Sequence, residues 1–215
     1  MTETQFNEIK GKLSKWRKDR HLTYENQKAG FLGNVFEELS EYFRAKDDLE
    51  RVDALCDMVI FCFNSFNLDY KTLEKQNDYD VTKISIVDIT DYLDCMVASF
   101  YKNKLDNFNF IYKIIFNYLN LVKNLGFDFH KCMLEKIKEI ENRTGFYDER
   151  LNKFTKDKGA YNTEDAFNRF LKENISDDFY ILEDNEEFVI FDKENDFALD
   201  KFKKWYKADY ESCRI

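Results

Sequence analysis

Apolar residues recur at helical spacing from the first turn of the chain. Phe6, Ile9, Leu13 and Trp16 lie three or four apart and predict a helix over 4–20. After a polar connection at 21–27, the pattern predicts a helix over 28–43, a short break at 46–48 and a second helix over 50–66. On this second helix Val52, Leu55, Val59, Phe63 and Phe66 occupy one arc. Glu50, Asp53, Asp57 and Asn64 fall in a separate arc of about 60° at roughly 100° per residue. On the preceding helix Glu38 and Glu41 are three residues apart and share a side. Two antiparallel helices joined this tightly bring their acidic faces together.

The rest of the chain continues mostly in the same period. Residues 67–82 are polar and predict a loop with a short helical piece. Ile89, Tyr92, Leu93, Met96 and Phe100, then Phe110, Ile114, Tyr118, Leu121 and Leu125, predict two helices broken near 102–107. Asp88, Asp91 and Asp94 line one side of the first, as its solvent face or as an extension of the acidic cluster. Gly126 has the place of a helix C-terminal glycine, and 129–142 reads as a further helix. Residues 146–163 are polar and turn-like, and 163–174 reads as helical with Thr163 as N-cap. Two aromatic and β-branched runs, 179–182 and 187–191, flank a polar EDNE and signal a hairpin. A last helix is expected over 197–210, with Phe202, Trp205 and Tyr206 on it.

Composition supports a folded, helix-rich chain. Of 215 residues 44% are hydrophobic, enough to bury a core, and there is no proline and only six glycines to interrupt helices. The net charge of −9 argues against a protein that grips a nucleic-acid backbone, so no nucleic-acid partner is expected. The five cysteines, Cys56, Cys62, Cys95, Cys132 and Cys213, form no CxxC pair and read as reduced thiols. The opening MTETQFNEIK has no apolar signal core, and no apolar run approaches the roughly 18 residues of a membrane span. A soluble, cytoplasmic protein without a membrane partner is expected.

Candidate chemistry narrows quickly. With two histidines, His21 and His130, and no HExxH, ExxH or His–Cys pattern, zinc and di-iron sites are poor candidates. No glycine-rich phosphate loop is present. The basic run 15–20 is either a phosphate patch or a helix end whose cations complement the dipole. With 42 acidic residues, an acidic helix face is on its own most simply a solvated face. The sharper alternative is that converging carboxylates, all oxygen ligands, hold Mg²⁺ or Mn²⁺.

Several stretches together resemble a known family. Glu37-Glu38-Leu39-Ser40-Glu41, then Asp53 to Phe61 and Asn64, resemble the ExxE…ExxD signature of MazG-like nucleoside triphosphate pyrophosphohydrolases. Trp16, Arg20 and Gln27, the last eleven residues before Glu38, are similar to the W…R…Q run of that family. Gly126-Phe127-Asp128, Cys132 and Glu135, followed by Arg143-Thr144-Gly145, resemble its later GxD…E…[KR]xG segment. The resemblance covers about 16–157. One position departs from it: Ala54 stands where the signature has Glu, three residues before Asp57. Either Asp53 supplies that carboxylate or Glu50 and Asp53 are themselves the ExxD pair. Asn64, seven residues after Asp57, matches the family's spacing and favours Asp57 as the final aspartate.

The resemblance implies an all-α fold, a helical bundle of the all-α NTP pyrophosphatase type over 1–160; residues 161–215, which the resemblance does not cover, are expected to form an appendage of a short hairpin and a helix. It implies hydrolysis of an NTP or dNTP between the α and β phosphates, giving NMP and pyrophosphate. The metal ligands would come from Glu38, Glu41, Glu50, Asp53 and Asp57, and the catalytic carboxylates from Glu37, Glu38, Glu41 and Asp57, with Glu37 or Glu50 orienting the water. Nucleotide contacts would come from Trp16, Arg20, Gln27, Asn64, Arg143, Lys153 and Lys156, Trp16 either stacking on the base or packing in the core. The cofactor would be Mg²⁺, with Mn²⁺ as substitute, and the assembly a homodimer or higher oligomer.

Overall fold

Local signals place the first three helices. In the computed structural model, which describes residues 1–76, 85–101, 109–150, 153–174 and 178–215, α1 (Glu3–Asp19) starts at a capping box between Thr2 and Gln5. It ends where His21 turns left-handed at φ 55°. Thr23 and Asn26 form the same reciprocal cap for α2 (Tyr24–Arg44). Asp47 caps α3 (Asp48–Ser65) by accepting from the Glu50 amide at 2.9 Å. The break expected at 46–48 is therefore an Asx-capped turn between antiparallel helices.

The chain divides into two units, Met1–Ile137 with Asp209–Ile215, and Lys138–Ala208. The expected boundary at residue 160 falls inside the second. The first unit is helical. Its α3 is the central element, with Val52, Leu55, Cys56, Met58, Val59, Cys62 and Phe63 buried. It packs on α2, α1 and α6 (Asn109–Asn124). The short α4 (Tyr70–Glu74) is tied to α6 through the Tyr112 hydroxyl, which donates to Asp69 Oδ2 at 2.8 Å. The next helix, α5 (Ile86–Tyr101), carries Asp91 and Asp94 exposed, so those two carboxylates face solvent. The side chains of Asp88 and Cys95 and the break expected near 102–107 lie outside the described residues.

Gly126 ends α6 at φ +88°, with the Phe127 amide reaching back to Val122 O and the Gly126 amide to Lys123 O, a Schellman arrangement that any β-carbon would strain. Helix α7 (Phe129–Asn142) follows, and the division between units falls within it. No described helix is long and apolar enough to cross a membrane. Cys56, Cys62, Cys132 and Cys213 are buried free thiols.

The second unit overturns the all-α expectation. Strands β1 (Gly145–Asp148) and β2 (Lys153–Lys156) pair antiparallel across the stretch read as a polar turn. Strands β3 (Gly159–Ala160), β4 (Phe179–Glu183), β5 (Glu187–Asp192) and β6 (Ala198–Lys204) form a mixed sheet in the order β3-β6-β5-β4. The two aromatic runs do pair as a hairpin, Phe179 opposite Asp192. The expected last helix is instead β6. Its apolar spacing suits a helix, but Phe202 pairs with Phe188 across the sheet and enters a core with Phe170, Phe179 and Ile190. Long-range pairing outweighs local period here. Helix α8 (Thr163–Glu173) covers this core, and its cap is Asn162 rather than Thr163, the Asn162 side chain accepting from the Asp165 amide. Gly159 is required because a β-carbon there would stand about 2.1 Å from the Trp205 ring.

Candidate functional site

The carboxylates of α2 and α3 meet in the first unit. Glu38 lies on the side of α2 that packs against α3. Its Oε2 is buried and has no hydrogen-bond partner among the described residues. Burial, with the charges of Asp57, Glu41 and Asp53 adding to it, pushes the Glu38 carboxyl up to about 9, against an opposite pull from Lys136. Glu38 is therefore protonated at neutral pH unless a cation arrives. Glu41 and Asp53 line an open cleft of about 330 Å³ with Arg44 and Glu50.

The two α3 aspartates share a cation from α7. Lys136 Nζ lies 2.8 Å from Asp53 Oδ1 and 2.6 Å from Asp57 Oδ2. Lys136 is 2% exposed, against 39% for the Asp53 side chain and 16% for that of Asp57. Asp53 Oδ1 also accepts from the Tyr210 hydroxyl at 2.6 Å. Ala54, the departure from the family signature, is 1% exposed in the core. A glutamate at that position would need partners the core does not supply. Asp53, one residue earlier and about 40° from Asp57 around the axis, faces the cleft. Glu50 lines the same cleft but is committed to the turn, accepting from the Lys46 amide at 2.7 Å. Of the two candidates for the fourth carboxylate, Asp53 is the one joined to Asp57.

Other expected site residues are placed elsewhere. Glu37 is exposed, one residue round α2 from Glu38. Asn64 is buried and accepts from Arg17 Nη1 at 2.7 Å, while the same guanidinium nitrogen donates to Phe63 O. That bond satisfies two buried polar side chains and draws Asn64 into the core. Trp16 is half-buried under the Arg20 guanidinium, 4.8 Å from its ring centre. Gln27 donates to the neighbouring Asn26 side chain at 3.4 Å. Arg143 and Lys156 belong to the second unit. There Arg143 pairs with Glu139 and the Tyr161 hydroxyl, and Lys156 is exposed on β2. The side chain of Lys153 lies outside the described ones.

Two residues that bond to the α3 aspartates were missed by sequence reading. Lys136 had a signal: it interrupts the apolar stripe Phe129, Cys132, Met133, Ile137 and Ile140 of α7, and a lysine in a buried stripe requires an acid opposite it. Tyr210 had none, because only the fold brings the end of the chain to Asp53.

The donors fit a hard divalent cation in kind. They are all oxygens, and the unpartnered buried Glu38 Oε2 is a group such an ion would satisfy. As they stand, no three Asp, Glu, His or Cys side chains among the described residues form a group that could hold a metal. The positive charge between Asp53 and Asp57 is that of Lys136. Comparisons with protein families, with curated proteins and with solved structures return no match for this chain.

Proposed function

We propose that the chain is a Mg²⁺-dependent nucleotide pyrophosphohydrolase of MazG-like type, cleaving an NTP or dNTP between the α and β phosphates to NMP and pyrophosphate. The observation that carries this reading is the buried, unpartnered Glu38 carboxyl placed among Asp57, Glu41 and Asp53 on two packed helices. A protein that needed only stability would put an apolar residue at that position. Glu38, Glu41, Asp53 and Asp57 would hold the ion, and Mg²⁺, with Mn²⁺ as substitute, would supply charge neutralisation for the triphosphate and its leaving group.

The chain's own residues do the rest. Glu38 holds a proton in the metal-free protein and would be available as an anionic ligand once a cation offset the repulsion that keeps its carboxyl neutral. Lys136 holds Asp53 and Asp57 in place and offsets part of their charge. Arg44, on the cleft wall, offers a guanidinium to phosphate oxygens. Glu37 or Glu50, the second of which lines that wall, would orient the water. The family resemblance extends the proposal to a homodimer or higher oligomer. The exposed Phe36 and Phe43, seven residues apart on α2, are apolar surface that a second copy would cover.

A second reading is favoured by Lys136. A lysine already pairs with two of the carboxylates, and a helical module that kept the fold but binds a nucleotide or a protein without turnover would look like this. A panel of NTPs, dNTPs and (p)ppGpp assayed for pyrophosphate release with Mg²⁺ or Mn²⁺ separates the two. Release by the wild type, lowered about 100-fold or more by Asp57→Ala, supports the hydrolase. No release from any nucleotide supports the binding module, and undiminished release by Asp57→Ala defeats the ligand assignment.

A further inference from the structure

The last seven residues, Asp209–Ile215, rejoin the first unit after the whole of the second has intervened. They are fastened there at several points. The Asp128 amide donates to Cys213 O at 2.8 Å and the Ile215 amide to Gly126 O at 3.0 Å, bridging the tail to the turn between α6 and α7. The Arg214 guanidinium sits 4.6 Å from the centre of the Phe127 ring, and Cys213 is buried. The Asp209 amide donates to Glu135 Oε2 at 3.1 Å, one residue before Lys136.

This anchoring delivers Tyr210 to Asp53. Tyr210 is 6% exposed, and its hydroxyl donates to Asp53 Oδ1 at 2.6 Å. The same oxygen accepts from Lys136 Nζ at 2.8 Å. Two donors thus saturate Oδ1, while no described residue donates to Oδ2. The Asp53 side chain keeps 39% of its surface and lines the cleft with Glu41. A carboxylate held by two donors through one oxygen is restricted in rotamer, and its second oxygen stays without a donor among the described residues. Packing alone would ask only for the ring of a phenylalanine; a buried hydroxyl is tolerated because it has this acceptor.

We propose that Tyr210 is a positioning residue of the site, holding Asp53 so that Oδ2 faces the cleft as a ligand for a divalent cation, and that the carboxyl-terminal segment is thereby part of the site. The proposal rests on the reading of these carboxylates as cation ligands. It assigns Tyr210 no contact with substrate.

The test uses the full chain and Mn²⁺ alone, with binding read from the free-ion electron paramagnetic resonance signal and thermal denaturation followed in parallel. Tyr210→Phe is expected to weaken Mn²⁺ binding roughly tenfold, as loss of a group behind a metal ligand does. The melting temperature should change by only a few degrees. Asp53→Asn is expected to weaken binding at least as much, and the double variant no further than Asp53→Asn alone, because Tyr210 acts through Asp53. Unchanged Mn²⁺ affinity in Tyr210→Phe, additive losses in the double variant, a Tyr210→Phe protein that does not fold, or a wild type that binds no Mn²⁺ would each overturn it. A wild type that binds Mn²⁺ in this Tyr210-dependent way yet releases no pyrophosphate defeats the hydrolase and leaves the Tyr210 assignment standing. Turnover whose Mg²⁺ dependence ignores Tyr210→Phe does the reverse.

Discussion

Each unit contains a cluster of charge drawn away from water, and the two are built on opposite terms. In the second unit Glu139 is matched: Oε1 accepts from Arg143 and from the Tyr161 hydroxyl, and Oε2 from the Ala208 amide at 2.9 Å. One acid, one base and a full set of donors make a staple between α7, α8's approach and the strand-to-tail segment. In the first unit Asp57, Glu41 and Asp53 add their charge to that of Glu38, and Lys136 pairs with two of these four carboxylates, Asp53 and Asp57. One carboxyl there stays protonated and one of its oxygens has no donor. Balance is what a structural ion pair needs, because each uncompensated charge costs several kcal/mol on burial. Surplus negative charge, kept at that cost, is what a cation-binding face needs. Arg143, which the resemblance makes a phosphate contact, pairs in this structure with Glu139 and the Tyr161 hydroxyl.

The largest effect is expected from removing the cation that bridges Asp53 and Asp57. Lys136→Met leaves Asp53 and Asp57 without their counter-charge and should destabilise the chain by about 3 kcal/mol in urea unfolding. Added Mg²⁺ should restore part of that loss. A metal-independent change below about 1 kcal/mol would mean that Lys136 is not the counter-ion the geometry indicates. Arg143→Leu comes next, at about 2 kcal/mol, since it strips the buried Glu139 of its base. It should leave Mn²⁺ affinity unchanged, and a loss of Mn²⁺ binding would break the contrast between the clusters.

Glu38→Gln acts in the opposite direction: it replaces a neutral carboxyl by a neutral amide of the same shape and should stabilise the metal-free protein at neutral pH, since the wild type must take up a proton on folding. Its signature lies in pH dependence. The folded Glu38 titrates near 9 and the unfolded one near 4.5, so between those values the folded state holds a proton the unfolded state lacks. Stability of the metal-free protein therefore falls as pH rises through this window and levels off above it. Glu38→Gln should remove that decline, and a wild type and variant with parallel stability profiles from pH 5 to 9 would show Glu38 to be ionised throughout.

Much of the first unit was legible because its signals are local. Helical period, the Thr2, Thr23 and Asp47 caps and Gly126 act within a few residues, and they define α1, α2, α3 and the end of α6. The shared face of Glu38 and Glu41, and that of Asp53 and Asp57, follow from the same arithmetic. Asn64 lies on that arc too, yet burial against Arg17 takes it into the core, since helical angle gives direction but not partner.

What only the tertiary structure decided depends on residues far apart in the chain. The spacing of Phe202, Trp205 and Tyr206 reads as a helix. Pairing with β5 makes Ala198–Lys204 a strand and leaves Trp205 and Tyr206 beyond its end, because the cross-strand hydrogen bonds and the Phe188–Phe202 pairing exist only once the hairpin is folded. Lys136 meets Asp53 across 83 residues and Tyr210 meets it across 157. The sequence by itself determined that an acidic face exists on two adjoining helices. Which carboxylate is pinned, by which cation and which hydroxyl, and which one is left buried without a partner, was decided by the fold, because desolvation and hydrogen-bond satisfaction are properties of an assembled interior rather than of a stretch of chain.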